Sequence, residues 1–232
     1  MLNKLSIVIP CYNERYTILQ VLDSLLQLDL GLEKQIIIVD DGSTDGTTQL
    51  LQEIDYPDVK FIFHAVNQGK GAAIQTALSF VTGDFVIIQD ADLEYSPQDI
   101  KLLIQTTVKT AAPVVYGSRN LHPTARGQFV YYWGGVFLSK LANILYRQNL
   151  TDIATGYKLI RTDIITDCRL TERGFGFCYE ITAKLALKQV KITEVPISYR
   201  PRSRAEGKKI SAKDGLEAIW LLLRYRFFYR NR

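Results

Sequence analysis

Apolar residues fall into short runs separated by longer stretches with a helical repeat. Leu5-Ser6-Ile7-Val8-Ile9, Gln35 to Val39, Lys60 to His64, Phe85 to Gln89 and Val114-Val115-Tyr116 are runs of strand length, rich in β-branched residues. Pro10 is expected to stop the first of them. Between the first two, Glu14 to Leu28 sets Ile18, Leu19, Leu22, Leu25 and Leu26 at helical spacing. Asp41-Gly42-Ser43-Thr44-Asp45-Gly46 reads as a turn capping a helix to about Ile54. Asn67-Gln68-Gly69-Lys70-Gly71 opens a helix through about Phe80, and Ser96-Pro97 starts one to about Val108. This alternation predicts an α/β fold, with a mostly parallel central sheet and helices on both faces. Ligands of such sheets bind beyond the carboxyl ends of the strands. The acidic turns after the second and fourth strands are therefore expected to face one ligand.

The second half is less regular. Gln128 to Tyr146 is apolar and aromatic, with Lys140 its only charge. It reads as a buried helix or one lying in a membrane interface. Spanning is disfavoured, because about 20 clean apolar residues are needed and Lys140 and Gly134-Gly135 interrupt this run. Val190 to Tyr199 reads as a further strand. Leu216 to Tyr229 reads as a helix carrying Trp220, Leu223, Phe227 and Phe228, edged by Arg224, Arg226 and Arg230. No repeat or linker interrupts the chain, so 1–232 is expected to be a single domain.

With 232 residues, 47% hydrophobic and 22% charged, the chain has ample material for a core. Its net charge of +4 is unevenly spread. From Pro196 onward ten Lys/Arg oppose three acids, a balance of +7 against −3 for the remainder. A basic tail on a mildly acidic body points to an anionic partner: substrate phosphates, a lipid surface or nucleic acid. No aromatic-rich platform accompanies the tail, which argues against nucleic acid. Cys11, Cys168 and Cys178 are scattered, and His64 and His122 stand alone. That spacing offers neither a zinc site nor a disulfide framework, so a reducing cytosol is the default. The N-terminus runs straight into a strand, without the pattern of a signal peptide.

The candidate chemistry centres on Gln89-Asp90-Ala91-Asp92-Leu93-Glu94. Carboxylates at i and i+2 just past a strand end can converge on one hard cation, Mg²⁺ or Mn²⁺, with Glu94 a third oxygen donor. Gly69-Lys70-Gly71 at a helix N-terminus can approach a phosphate. It is not a Walker A motif, and no GxGxxG follows the first strand, so a dinucleotide fold is disfavoured.

Pro10-Cys11-Tyr12-Asn13-Glu14, Val39-Asp40-Asp41-Gly42-Ser43, Asn67-Gln68-Gly69-Lys70-Gly71 and Asp90-Ala91-Asp92 occur in that order. Together they resemble the family-2 glycosyltransferases of the GT-A (nucleotide-diphospho-sugar transferase) fold. Tyr116-Gly117-Ser118-Arg119, Thr155-Gly156-Tyr157-Lys158, Gly174-Phe175-Gly176-Phe177 and Glu194-Val195-Pro196-Ile197-Ser198-Tyr199 resemble the dolichol-phosphate mannose synthase branch, whose products are polyprenyl-phosphate sugars. The resemblance implies that Pro10, Tyr12, Glu14, Val39 and Asp41 hold the nucleoside. It implies that Asp90 and Asp92 ligate the metal, with Ala91 beside the donor and Glu94 supplying an oxygen. Arg119 would meet a phosphate. Arg202 and Lys208, six residues apart, would clamp the donor diphosphate. Asp92, Arg202 and Lys208 are thus the expected catalytic residues. Residues 1–119 would form the nucleotide-sugar and metal half, and 120–232 the acceptor and phosphate-clamp half.

The expected reaction is inverting transfer of mannose or glucose from GDP-mannose or UDP-glucose to a polyprenyl or dolichyl phosphate. An acceptor phosphate is largely ionised at neutral pH, with a second pKa of about 6, and needs no general base. A sugar-hydroxyl acceptor would require one, and Glu180 is the candidate. A helix-start acid is the plainer reading of Glu180, and a non-catalytic nucleotide-sugar binder is the remaining alternative. Two departures stand out. The branch's usual Ser/Thr-Gly-Phe-Arg reads Thr155-Gly156-Tyr157-Lys158, and the sequence carries no C-terminal span of the kind many relatives have. Peripheral contact with the cytoplasmic face of a membrane, direct or through a membrane-anchored partner, is therefore expected. The oligomeric state is left open.

Overall fold

Strands β1 (Lys4–Cys11), β2 (Glu33–Asp40), β3 (Val59–Phe63) and β4 (Phe85–Ile88) run parallel, with β3 at the sheet edge. They belong to a computed structural model of the chain, which describes residues 2–121, 129–202 and 212–229. Helices α1 (Ile18–Gln27), α2 (Thr47–Glu53) and α3 (Lys70–Leu78) connect them. A 3-10 turn at Pro97–Asp99 leads into α4 (Ile100–Thr110) and β5 (Val114–Ser118). Then follow α5 (Phe129–Tyr146), β6 (Lys158–Arg161), α6 (Thr162–Asp167), α7 (Phe177–Leu187), β7 (Ile192–Pro196) and α8 (Ala212–Phe227).

The sheet order is β3-β2-β1-β4-β6-β5-β7, with β6 antiparallel to both neighbours. The expected α/β architecture holds. The sequence reading had not anticipated β6 or α6, and of α7 it had only Glu180 as a helix-start acid, which holds. Strand β6 is only four residues long, too short for a period to show.

Each central strand feeds two apolar layers by simple alternation. Leu5, Ile7, Ile9, Ile36, Ile38, Phe85 and Ile87 pack with α1 and α4. Val8, Ile37, Val39, Val86 and Ile88 pack with α3, α6 and α7 on the other face. Burial on both faces explains why these strands read as near-continuous apolar runs. Each such side chain contributes about 1.5–3 kcal/mol. A third cluster joins Leu138, Ala142 and Tyr146 of α5 to Ala183 and Ala186 of α7 and to Ala218, Leu221, Leu222 and Tyr225 of α8. The outer faces of α5 and α8 leave Trp133, Phe137, Ile144, Leu216, Trp220 and Phe227 exposed, with Phe228 just past the end of α8. No described helix is long and apolar enough to cross a membrane. The three cysteines are buried, and no disulfide joins them.

Pro10 does not end β1, contrary to expectation. Pairing with β2 continues to Cys11, whereas pairing with β4 stops at Val8. The Val8 carbonyl accepts from Gln89 on the β4 side, and the Cys11 carbonyl accepts from Asp41 on the β2 side. Alternation turns Pro10 towards the β4 side, beyond that strand's end, where its missing N–H breaks no ladder bond.

The connections after β1 build the sheet outward through β2 to β3. The chain then crosses to the opposite side of β1 for β4. The topological switch point thus lies between the carboxyl ends of β1 and β4, where Pro10–Glu14 and Asp90–Glu94 emerge.

Candidate active site

The loops leaving β1 and β2 are tied to each other. Asn13 sits in the left-handed region at φ 53, a conformation asparagine tolerates better than most residues. Its N–H donates to Ser43 Oγ at 2.8 Å, and its side-chain oxygen accepts from the Thr44 N–H at 2.7 Å. The Glu14 N–H donates to Thr47 Oγ1 at 3.0 Å. These bonds hold the Glu14 carboxylate, only 8% exposed, at the switch point.

Beyond β4 the chain turns so that Asp90 and Asp92 stand on the cleft side while Ala91 points into the core. Asp92 Oδ1 accepts from the Glu94 N–H at 3.0 Å, which fixes its rotamer. The segment after β7 then straps across this turn. Ser198 is anchored on Asp99 through its N–H at 2.9 Å, and the Arg200 N–H donates to the Glu94 carbonyl at 2.9 Å. The strap delivers Arg202, whose Nη1 donates to both Glu14 oxygens at 3.0 and 3.1 Å and whose Nη2 donates to Asp92 Oδ2 at 2.6 Å. Burial, then the charge of Asp90, push the Asp92 carboxyl up to about 7, against the pull of Arg202.

Lys70, the first residue of α3, donates to Asp90 Oδ1 at 2.5 Å. Among the described residues, Glu14, Asp90, Asp92 and Glu94 therefore face two cations, Lys70 and Arg202. Hard oxygen donors in anionic excess suit Mg²⁺ or Mn²⁺. No group of three His, Cys, Asp or Glu side chains converges as a metal cluster among the described residues. Further oxygens would have to come from water or from an anionic ligand. Arg202 Nε is buried without an acceptor among the described residues, so the guanidinium has a donor left for such an anion.

Other expected site residues stand differently. Pro10 is buried at the end of β1 and Tyr12 is half-buried beside it. Val39 is fully buried in the core, so only its backbone borders the cleft. Ala91 belongs to the opposite core layer. Both Asp41 oxygens are engaged, accepting from the Gln68 and Gly69 N–H groups at 2.9 and 2.7 Å with His64 Nδ1 at 2.7 Å. That arrangement braces the start of α3. Glu94 accepts from the Tyr199 hydroxyl at 3.1 Å and the Arg202 N–H at 2.7 Å, which makes it the strap's anchor. Arg119 forms a two-pronged bond to Asp152 at 2.7 and 2.8 Å and lies over the Tyr199 ring at 5.0 Å. Burial raises the Asp152 carboxyl, but the charge and bonds of Arg119 outweigh it and hold the group below the usual range. Lys208 lies outside the described residues.

Glu180 is fully buried. One oxygen accepts from the Thr171 N–H, Lys184 Nζ and the Tyr225 hydroxyl at 2.7–2.8 Å, and the other from the Glu172 N–H at 2.8 Å. Both oxygens are occupied with joining α7, α8 and the 171–172 loop. Sequence reasoning missed Asp152, the partner of Arg119, and Lys70 as the partner of Asp90. The Gly-Lys-Gly motif was visible, but its lysine's partner was not.

Comparison with known proteins bears on this site. The model of the family "Glycosyl transferase family 2" matches residues 6–169. The dolichol-phosphate mannosyltransferase of Pyrococcus furiosus is 29% identical over 212 residues, 88% of this chain and 59% of the relative. The chain thus spans less than two thirds of that relative's length. The dolichyl-phosphate beta-glucosyltransferase of Trichomonas vaginalis is 25% identical over 244 residues, 97% of this chain and 74% of the relative. Glucosyl-3-phosphoglycerate synthase from Mycobacterium tuberculosis, in a crystal structure with Mn²⁺, UDP and glucosyl-3-phosphoglycerate, superposes with a TM-score of 0.74 at 20% identity. That match covers 99% of this chain and 82% of the other, and it concerns the fold.

Proposed function

The chain belongs to glycosyl transferase family 2, and on that premise we propose that it transfers a hexose, mannose or glucose, from a nucleotide-sugar to a polyprenyl phosphate with inversion. The observation that carries this is the convergence of Glu14, Asp90, Asp92 and Arg202 at the switch point, from three distant parts of the chain. Residues 1–119 would form the nucleotide-sugar and metal half, and 120–232 the acceptor and phosphate-clamp half.

Asp90 and Asp92 would hold Mg²⁺ or Mn²⁺ against the donor diphosphate, with neutralisation of the leaving group as the chemistry supplied there. Arg202 contributes a second charge. Its two bonded nitrogens are set by Glu14 and Asp92, and its buried Nε is left to turn to the diphosphate. Pro10, Tyr12 and the backbone at Val39 border the nucleoside. The acceptor phosphate attacks the anomeric carbon from the face opposite the leaving group, already ionised at neutral pH and without a base. The burial of Glu180 favours this over a sugar-hydroxyl acceptor, since that carboxylate is fully enclosed in the joint between α7, α8 and the 171–172 loop, where no acceptor hydroxyl reaches it.

A lipid acceptor requires contact with a bilayer. The exposed aromatics of α5 and α8, beside Arg224 and Arg226, suit peripheral docking on an anionic, cytoplasmic leaflet. Incubation with radiolabelled GDP-mannose and UDP-glucose tests the whole reading. Label is expected in the organic phase only when polyprenyl phosphate is supplied. Label entering a water-soluble glycan would replace the acceptor.

A further inference from the structure

Lys70 is built into the cleft with unusual care. A methyl group on Gly71 would overlap the Glu172 carbonyl oxygen, and one on Gly69 would crowd the Arg173 carbonyl. The two glycines let the 172–173 backbone pass directly against the start of α3, where the Ala72 N–H donates to the Arg173 carbonyl at 3.0 Å. The lysine between them is thereby turned towards Asp90. Its ammonium lies 6.0 and 5.5 Å from the ring centroids of Phe175 and Phe177, and its bond to Asp90 is 2.5 Å. The side chain is 19% exposed and Asp90 15%. A cation so enclosed needs an anion at all times, because leaving a buried charge unpaired is costly.

We infer that Lys70 is an exchangeable counter-ion that couples cation binding to donor binding: it neutralises Asp90 in the free enzyme and, when a divalent cation takes Asp90, is satisfied instead by the donor's diphosphate. The inference rests on the donor-site reading above. It follows from competition for one carboxylate. A divalent cation arriving alone must displace the ammonium from Asp90 and strand it between two aromatic rings. A cation arriving with a nucleoside diphosphate brings the replacement anion. Binding of the two is therefore cooperative, and each raises the affinity for the other by the same factor.

The test is titration calorimetry with Mn²⁺ alone, with UDP or GDP alone, and with Mn²⁺ in the presence of either nucleotide. In the wild type, the nucleotide is expected to tighten Mn²⁺ binding by about tenfold or more. Lys70→Met keeps the stem and removes the charge. It should bind Mn²⁺ alone several-fold more tightly and lose most of the coupling. Lys70→Gln carries the same expectation and serves if the methionine variant does not fold. Unchanged Mn²⁺ affinity and unchanged coupling in a folded variant would overturn the inference while leaving the donor site standing. Weaker binding of Mn²⁺ alone would also overturn it, by showing that Lys70 supports Asp90 and does not compete for it. A wild-type protein that binds neither Mn²⁺ nor either nucleotide would instead overturn the donor-site reading on which the inference rests.

Discussion

Arg202 Nη1 lies 3.0 and 3.1 Å from the two carboxylate oxygens of Glu14, a residue 188 positions earlier in the chain. The contact brings the strap after β7 onto the loop after β1, and the same guanidinium reaches Asp92 beyond β4. A cation placed there can serve a leaving diphosphate only through a fixed geometry, and the two carboxylates impose it.

Removing that geometry should be costly for turnover. Arg202→Ala is expected to lower kcat about 100-fold. Arg202→Lys keeps the charge but not the fork and should recover part of it. Steady-state kinetics separates the two ideas. A rise in KM with unchanged kcat would show that Arg202 only binds.

Asp92→Asn should abolish transfer while the circular dichroism spectrum stays that of the wild type. EDTA should inactivate the wild type, with Mg²⁺ or Mn²⁺ restoring it. Full turnover in excess chelator would rule out the metal-assisted reading.

Glu180 is expected to matter for stability and not for chemistry. Glu180→Ala strands the buried Lys184 ammonium and should destabilise by about 3–5 kcal/mol in denaturant titration. Burial raises the Glu180 carboxyl, but the bonds from Lys184 and the Glu172 backbone outweigh it and hold the group below its ordinary value. A depressed carboxyl stabilises the fold above the unfolded-state value of about 4.3. That contribution is lost as pH falls through the lower folded value. The stability gap between wild type and Glu180→Gln should therefore be full near neutrality and shrink below about pH 4. At temperatures where it is folded, Glu180→Gln should keep the wild-type kcat. A kcat loss of 100-fold would instead make Glu180 the base of a hydroxyl acceptor.

Gly71→Ala should destabilise by about 1–3 kcal/mol, because the added methyl meets the Glu172 carbonyl, which is backbone and cannot rotate away. Thermal melting measures it. A neutral result would mean that the loop at 172–173 moves aside at no cost.

Membrane docking is tested by co-sedimentation with anionic vesicles at rising salt. Arg224 is bonded to Glu172 at 3.0 Å, so its replacement would also disturb the fold. Trp220→Asp and Arg226→Glu are the cleaner changes, since both side chains are exposed. Each should weaken sedimentation, the second by about 1 kcal/mol at low salt. A wild type that stays in the supernatant at low salt would point to a membrane-anchored partner.

Much of this protein was legible in one dimension. The five strand-length runs, the turn chemistry of Asp41–Gly46 and the order of the acidic and glycine motifs are local properties, set by periods of two and 3.6 residues and by capping. They sufficed for the α/β class, while the family, and with it the grouping of Glu14, Asp90, Asp92 and Arg202, came from the resemblance of the motifs. Tertiary structure decided what each polar group is for, because that depends on which partner reaches it first. Asp152 takes Arg119, Lys70 takes Asp90, and the Gln68 and Gly69 backbone takes Asp41, while Arg202 bridges the two acidic loops. Val39 and Ala91 match the family's motifs as well as their neighbours do, yet the pleat of one and the turn of the other point both side chains into the core. Pairings across 20 to 188 residues follow from how strands stack and where buried donors find acceptors, which no local period records.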